Sequence, residues 1–177
     1  KHTGTCPAAG MAVIRGYSGK EAAGIVIDSR KVEPGDIFVA IRGERVDGHQ
    51  FIREVFDKGA IAVVCEEEPE ELPGPCIRVE DSLAALRQIA AFYREQMPVP
   101  IVGITGSVGK TSTKEFVASV LAQKYKTHKT QGNFNNEIGV PLTLLAMPED
   151  TEAAVVEMGI NHFGEMHRLS EMVKPDI

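Results

Sequence analysis

A surplus of positive charge is missing from this sequence. Lys and Arg number 19 against 25 Asp and Glu, a formal net charge of −6, and the deficit runs through both halves, −4 before Pro98 and −2 from it onward. Duplex nucleic acid is held by neutralising many phosphates, so this balance excludes it as a partner. A few local cations still suffice for a small phosphorylated ligand. Cysteine is scarce: Cys6, Cys65 and Cys76 are odd in number and form no C-x-x-C. That pattern argues against a disulfide framework and for a reducing, cytoplasmic setting with the thiols as small buried apolar groups. No apolar run approaches the roughly 20 residues of a membrane span, so no membrane insertion is expected. Residues 1–10 are polar and lack the apolar core of a secretory signal. The sequence also lacks an initiator Met, an internal repeat and any low-complexity tract.

What is present is ordinary for a globular protein: 177 residues, 43% hydrophobic and 25% charged, enough for one large domain or two small ones. The most informative stretch is Ile101-Val-Gly-Ile-Thr-Gly-Ser-Val-Gly-Lys-Thr-Ser112. It reads as a buried strand entering a glycine-containing turn and then a helix, whose signal is Phe116, Val117, Val120 and Leu121 on one face. Gly106 and Gly109 permit backbone angles that other residues avoid. Such a turn aims several N–H groups at one spot, and the helix N-terminus adds partial positive charge. Gly106, Ser107, Val108, Gly109, Lys110, Thr111 and Ser112 are therefore the candidate cradle for nucleotide phosphates, with Lys110 as the charge and Thr111 as a Mg²⁺ ligand. The usual pattern is G-x-x-x-x-G-K-[ST]; here Ile104 stands at the first glycine's position and the glycine is displaced to Gly106. An ordinary strand–turn–helix with a solvated lysine is the competing reading, and it offers no reason for Gly-Lys-Thr at a helix start.

Along the chain, strands are expected at Ile25–Ile27, Ile37–Ile41, Ala60–Val64 and Cys76–Val79, with a possible short one near Met11–Ile14. Helices are expected from His49 to Lys58 and from Asp81 or Ser82 to Gln96. Glu33-Pro34-Gly35-Asp36 is a turn, and the acidic loop 66–75 reads as solvated. Met97-Pro98-Val99-Pro100 marks the expected boundary, giving domains 1–97 and 98–177. Beyond it, strands are expected near Tyr125–Thr130 and Ala153–Val156, helices from Val140 to Met147 and from Glu165 to Val173, and a further strand beginning at Lys174. The fold class is α/β: a small N-terminal α/β domain, then part of a Rossmann-like parallel-sheet domain built on the phosphate loop. Half of such a sheet would leave an unpaired edge, so the chain is expected to be part of a longer protein.

Glu157 follows an apolar strand, and ligands of open α/β sheets lie outside the carboxyl ends of the strands. It is the candidate second ligand for Mg²⁺, against a solvated strand-end acid. His162 is placed near the same edge as a substrate contact, a metal ligand or a helix cap. Asn133, Asn135 and Asn136 read either as polar substrate contacts or as turn chemistry. Ser29, Arg30, Arg42, Asp47 and His49 fall in two strand-end loops, where Arg suits phosphate and surface ion pairing explains the pattern equally well.

Asp28-Ser-Arg-Lys-Val-x-Pro-Gly-Asp-x-Phe-Val-Ala40 with Asp47-Gly-His49 resembles the N-terminal domain of the Mur ligases of bacterial cell-wall synthesis. Thr105-Gly-x-x-Gly-Lys-Thr-Ser112 resembles their ATP loop, displaced glycine included. Gly132-Asn-x-Asn-Asn136 with Gly139-Val-Pro141, and Glu157-Met-Gly-x-Asn-His162, are similar to the branch that adds D-alanyl-D-alanine. The resemblance implies an ADP-forming amide ligase using ATP and Mg²⁺, with UDP-N-acetylmuramoyl-tripeptide and D-alanyl-D-alanine as substrates and an acyl phosphate between them. It implies Lys110 and Glu157 as catalytic residues, and Thr111 and Glu157 on metal. Ser29, Arg30, Asp47, Gly48 and His49 would lie along the uridine diphosphate, and Asn135, Asn136, Asn161 and His162 would face the muramoyl-peptide. A cytoplasmic monomer is expected. The family's carbamylated lysine, a metal-binding histidine, the adenine pocket and the amine-binding domain would fall after Ile177, leaving this stretch inactive alone. The alternatives are the sister ligase adding diaminopimelate or lysine, and a nucleotide-sugar-binding module without turnover.

Overall fold

The computed structural model of the chain describes residues 13–15, 21–43, 46–71, 73–160 and 164–177. The chain packs as two units, 1–88 and 89–177. The division falls inside a helix, ahead of the Met97-Pro98 break. The reason is that the helix's last turns are fastened to the second unit. Tyr93 Oη donates to Met147 O at 2.8 Å, and Arg94 Nε donates to Val173 O at 2.9 Å.

In the first unit, β1 (Val13–Arg15), β2 (Ile25–Val26), β3 (Ile37–Val39), β4 (Ala62–Cys65) and β5 (Cys76–Arg78) form one sheet in the order β1-β5-β4-β3-β2. Only the β1–β5 pair is antiparallel. Central strands with neighbours on both sides must be apolar on both faces, and β4 supplies that with buried Val63, Val64 and Cys65. A 3₁₀ turn over Gly48–Phe51 leads into α1 (Ile52–Asp57), where the sequence suggested one helix. Ile52 and Val55 bury against Phe38, Ala40 and Val63. The loop after β4 is not merely solvated: Glu66 Oε1 accepts the Ser82 N–H at 3.0 Å, at the start of α2 (Ser82–Gln96). Asp81 is the residue that caps this helix, its Oδ1 accepting from Ala84 N at 2.8 Å.

Cys65 and Cys76 are buried with their sulfurs 2.8 Å apart. The hydrogen bond from Cys76, reinforced by burial, pushes the Cys65 thiol above its ordinary range. Cys6 lies outside the described residues.

In the second unit, β6 (Ile101–Ile104), β7 (Thr127–Lys129) and β8 (Ala153–Glu157) form a parallel sheet in the order β6-β8-β7. The central strand β8 is buried along its whole length. No strand forms at Lys174–Ile177, where one was expected to start, but the segment runs alongside β6: Asp176 N donates to Ile101 O and Gly103 N donates to Ile177 O. Helices α3 (Lys110–Leu121), α4 (Gly139–Leu145) and α5 (Glu165–Val173) complete the unit. Its core joins Ile101, Val140, Leu144, Val156 and Leu169.

The helix read from spacing is present at Lys110–Leu121. The apolar face Phe116, Val117, Val120 and Leu121 of α3 is only partly covered: Phe116 is 73% exposed and Val120 70% exposed, while Val117 and Leu121 are half-buried. Lys114 and Ala118 are the helix residues that are buried. Residue spacing shows which side chains share a face; only the position of the sheet shows which face is covered.

Candidate active site

Three segments of the second unit converge on one carboxylate. The β6–β8 register pairs Ile104 with Glu157, so the glycine turn after β6 and the acid ending β8 leave the sheet at the same edge. The chain then passes Gly106, at φ +142°, and Gly109, at φ +80°. A side chain at Gly109 would meet nothing within 4 Å, so what requires glycine there is the left-handed backbone and not lack of space. Gly109 is the N-cap of α3 and offers no side-chain cap. The first-turn N–H groups of Lys110, Thr111 and Ser112 therefore have no helical acceptor and point outward at an exposed turn. Ser107 and Val108 are exposed at its tip, and Lys110 folds back with Nζ donating to Gly106 O at 2.8 Å. The arrangement is a set of donors around a small open cradle, which suits an anion with several oxygens.

Glu157 is 1% exposed. Its backbone N–H donates to Thr130 Oγ1 at 2.9 Å. Its Oε1 accepts from Thr111 Oγ1 at 3.2 Å and from Asn135 Nδ2 at 2.8 Å. Its Oε2 is buried with no hydrogen-bond partner. The nearest charge to Oε2 is Lys114 Nζ at 3.7 Å, itself 1% exposed. A buried carboxylate oxygen without a donor is costly in a site meant only for proton-bearing partners. An oxygen-only set of one carboxylate and one hydroxyl at the edge of an anion cradle fits a hard divalent cation such as Mg²⁺. No group of three or more His, Cys, Asp or Glu among the described residues makes a protein-only metal site.

The other predicted residues of this unit divide. Asn135 is drawn into the site, but its amide is bonded to Glu157. Asn136 is used by the loop, its Oδ1 accepting from Ile138 N at 3.1 Å and Gly139 N at 2.8 Å to start α4. Asn161 and His162 lie outside the described residues. Sequence reading missed Thr130 and Lys114. Lys114 was legible in principle, because it stands four residues after Lys110 and so on the same helix face. Nothing in the sequence singled out Thr130 from the other threonines.

In the first unit, Ser29, Arg30, Asp47, Gly48 and His49 occupy two loops that leave the sheet. Ser29 is buried, and its carbonyl accepts from Lys58 Nζ at 2.8 Å. Arg30 is exposed and forked onto Asp28, Nε to Oδ1 at 2.9 Å and Nη2 to Oδ2 at 2.8 Å. That guanidinium holds the Asp28 carboxyl down at about 2. Gly48 N donates to Ile41 O at 2.9 Å, so this loop runs close against the strand end. The His49 ring is fully engaged: Nε2 accepts the Glu66 N–H at 2.9 Å, which leaves Nδ1 to donate to Asp47 Oδ1 at 2.6 Å. The His49 backbone N–H, and then its ring, lower the Asp47 carboxyl. Arg42 reaches Glu67 at 2.6 Å, the surface ion pairing that was the alternative to phosphate binding.

Known proteins resemble this chain along most of its length. Residues 104–177 match the Mur ligase middle domain, and residues 21–94 match the Mur ligase family, catalytic domain. The UDP-N-acetylmuramoyl-tripeptide--D-alanyl-D-alanine ligase of Bacillus subtilis is 45% identical over 158 residues, covering 86% of this chain and 34% of the relative. The ligase of the same name from Synechocystis is 47% identical over 155 residues, again covering 86% and 34%. The crystal structure of MurF ligase from Thermotoga maritima in complex with ADP superposes with a TM-score of 0.79 at 37% identity, covering 86% of this chain and 35% of that one. The chain thus spans about a third of the length of the curated relatives it matches. With one domain match following the other along the sequence, and a phosphate-type cradle beside a buried acid, the chain belongs to the Mur ligase family.

Proposed function

We propose that this chain carries the UDP-substrate portion and the nucleotide-phosphate site of an ATP-dependent ligase that joins D-alanyl-D-alanine to UDP-N-acetylmuramoyl-tripeptide. The observation that carries the reading is the Thr111–Glu157 contact, which brings the first turn of the phosphate-loop helix to a buried acid at the carboxyl edge of the sheet. In this reading the N–H groups of Gly106 to Ser112 hold the phosphates of ATP, and Lys110 leaves Gly106 O to follow the charge of the transferred phosphoryl group. Positioning and charge stabilisation are most of what phosphoryl transfer asks of a protein. Thr111 Oγ1 and Glu157 would hold Mg²⁺, which neutralises phosphate charge when bound. Asn135 keeps the carboxylate turned toward the cradle. Ser29, Arg30, Asp47, Gly48 and His49 would take the uridine diphosphate, with Arg30 exchanging Asp28 for phosphate. Asn136, Asn161 and His162 would face the muramoyl-peptide, in a cytoplasmic monomer.

The choice of D-alanyl-D-alanine over the diamino acid of the sister ligase is supported by the Gly132-Asn-x-Asn-Asn136 segment and by the names of the relatives above 40% identity. ADP release by the intact ligase bearing these residues, dependent on both UDP-tripeptide and D-alanyl-D-alanine, tests the reading. Release that instead follows diaminopimelate or lysine overturns it. Calorimetry of Lys110→Ala should find Mg·ATP binding lost and UDP-substrate binding within about threefold, under roughly 0.7 kcal/mol. A large loss of UDP-substrate binding would mean the two sites are wrongly divided.

A further inference from the structure

Lys114 has no part in the reaction as described, yet it is as buried as Glu157 itself. Burying an ammonium costs several kcal/mol unless good partners replace water. The partners here are loose. Nζ lies 3.3 Å from Gly132 O, 3.3 Å from Glu115 Oε1 and 3.7 Å from Glu157 Oε2. Charge-assisted bonds between ammonium and carboxylate ordinarily close to about 2.8 Å. Glu157 Oε2 is thus neutralised at a distance but not bonded, while Oε1 is held by Thr111 and Asn135. A carboxylate fixed through one oxygen, with the other left bare beside a retracted cation, is arranged for a second cation that binds oxygen at closer range. Mg²⁺ does so at about 2.1 Å.

We propose that Lys114 is a substitute cation for Glu157. It balances the buried carboxylate when no divalent ion is present and cedes Oε2 when one arrives, keeping Gly132 O and Glu115 as its own partners. Lys114 is then a positioning residue: it acts through Glu157 and keeps the site folded in its ion-free form. The inference rests on Glu157 as a ligand of the divalent ion.

The test is thermal unfolding of the protein, nucleotide-free, with and without Mg²⁺. Unaltered protein should shift by less than about 1 °C on adding Mg²⁺. Lys114→Met, which leaves the carboxylate unbalanced, should melt at least about 5 °C lower without the ion and recover most of that loss with it. Lys114→Gln, which keeps a donor for Gly132 O but not the charge, should behave as Lys114→Met does; Lys114→Arg should behave as the unaltered protein. Adding Glu157→Gln to Lys114→Met should abolish the Mg²⁺ recovery. Equal Mg²⁺ responses in Lys114→Met and unaltered protein overturn the inference. So does failure of both Lys114→Met and Lys114→Gln to fold at any Mg²⁺ concentration. Whether Glu157 takes the ion is read separately, from paramagnetic Mn²⁺ bound with ADP to unaltered protein and to Glu157→Gln. Loss there without a Lys114 effect overturns the substitute-cation role alone, and no loss overturns both.

Discussion

The hydroxyl of Thr111 donates to Oε1 of Glu157 at 3.2 Å, closing a contact between residues 46 positions apart in the chain. The hydroxyl belongs to the first turn of α3 and the carboxylate to the end of β8. This geometry predicts that Thr111→Ala lowers Mg²⁺-dependent nucleotide affinity by about tenfold or more, roughly 1.4 kcal/mol, while Thr111→Ser keeps it. Calorimetry with Mg·ADP and with metal-free ADP separates the two effects: only the first should change.

Gly139 opens α4 where the chain passes over Phe134. A Cβ there would lie 2.4 Å from Phe134 Cα and 2.5 Å from its carbonyl carbon, backbone atoms that cannot swing aside. Gly139→Ala should destabilise the protein by about 3 kcal/mol through overpacking, read as a lower denaturation midpoint. An unchanged midpoint would mean that this loop and helix are not in contact.

His128 on β7 donates from Nε2 to Thr143 O at 2.9 Å, and burial pushes its imidazole below the usual 6.5. A base whose folded value is depressed stabilises the fold above its unfolded value and loses that contribution as pH falls through the folded one. Melting temperature should therefore drop between pH 7.5 and pH 5. His128→Gln keeps a donor without the titration, so it should flatten that part of the profile. An equal slope in the two proteins would remove His128 as its source.

Phe116 and Leu144 reverse the intuition that the larger side chain matters more. Phe116 is exposed on α3, so Phe116→Ser should move stability by no more than about 0.5 kcal/mol. Leu144 is wholly buried in the second unit, so Leu144→Ala should cost about 3 kcal/mol. Urea midpoints compare them directly.

Much of the fold was readable from local pattern. Helix α5 lies at Glu165–Val173 as expected, and α2 ends at Gln96 as expected, because amphipathic spacing and flanking prolines are local properties. The glycine turn ahead of α3 was readable for the same reason: its glycines are required by backbone angles within a few residues. What was misread depended on neighbours distant in sequence. The Oδ1 of Asn136 starts α4, a contact that the sequence did not announce; loop 66–75 looked solvated, yet Glu66 reaches Ser82 N.

The amino-acid order alone determined the type of most strands and α-helices, the glycine turn before Lys110 and the family resemblance, since each depends on spacing along a short stretch of chain. Tertiary structure decided that Glu157 would meet Thr111 and Asn135, that Lys114 would be buried, and that Phe116 would face outward. Those outcomes follow from the parallel register of β6 on β8 and from the side of the sheet on which α3 lies. They are settled by long-range backbone pairing and by which faces exclude water, quantities that no local window of sequence contains.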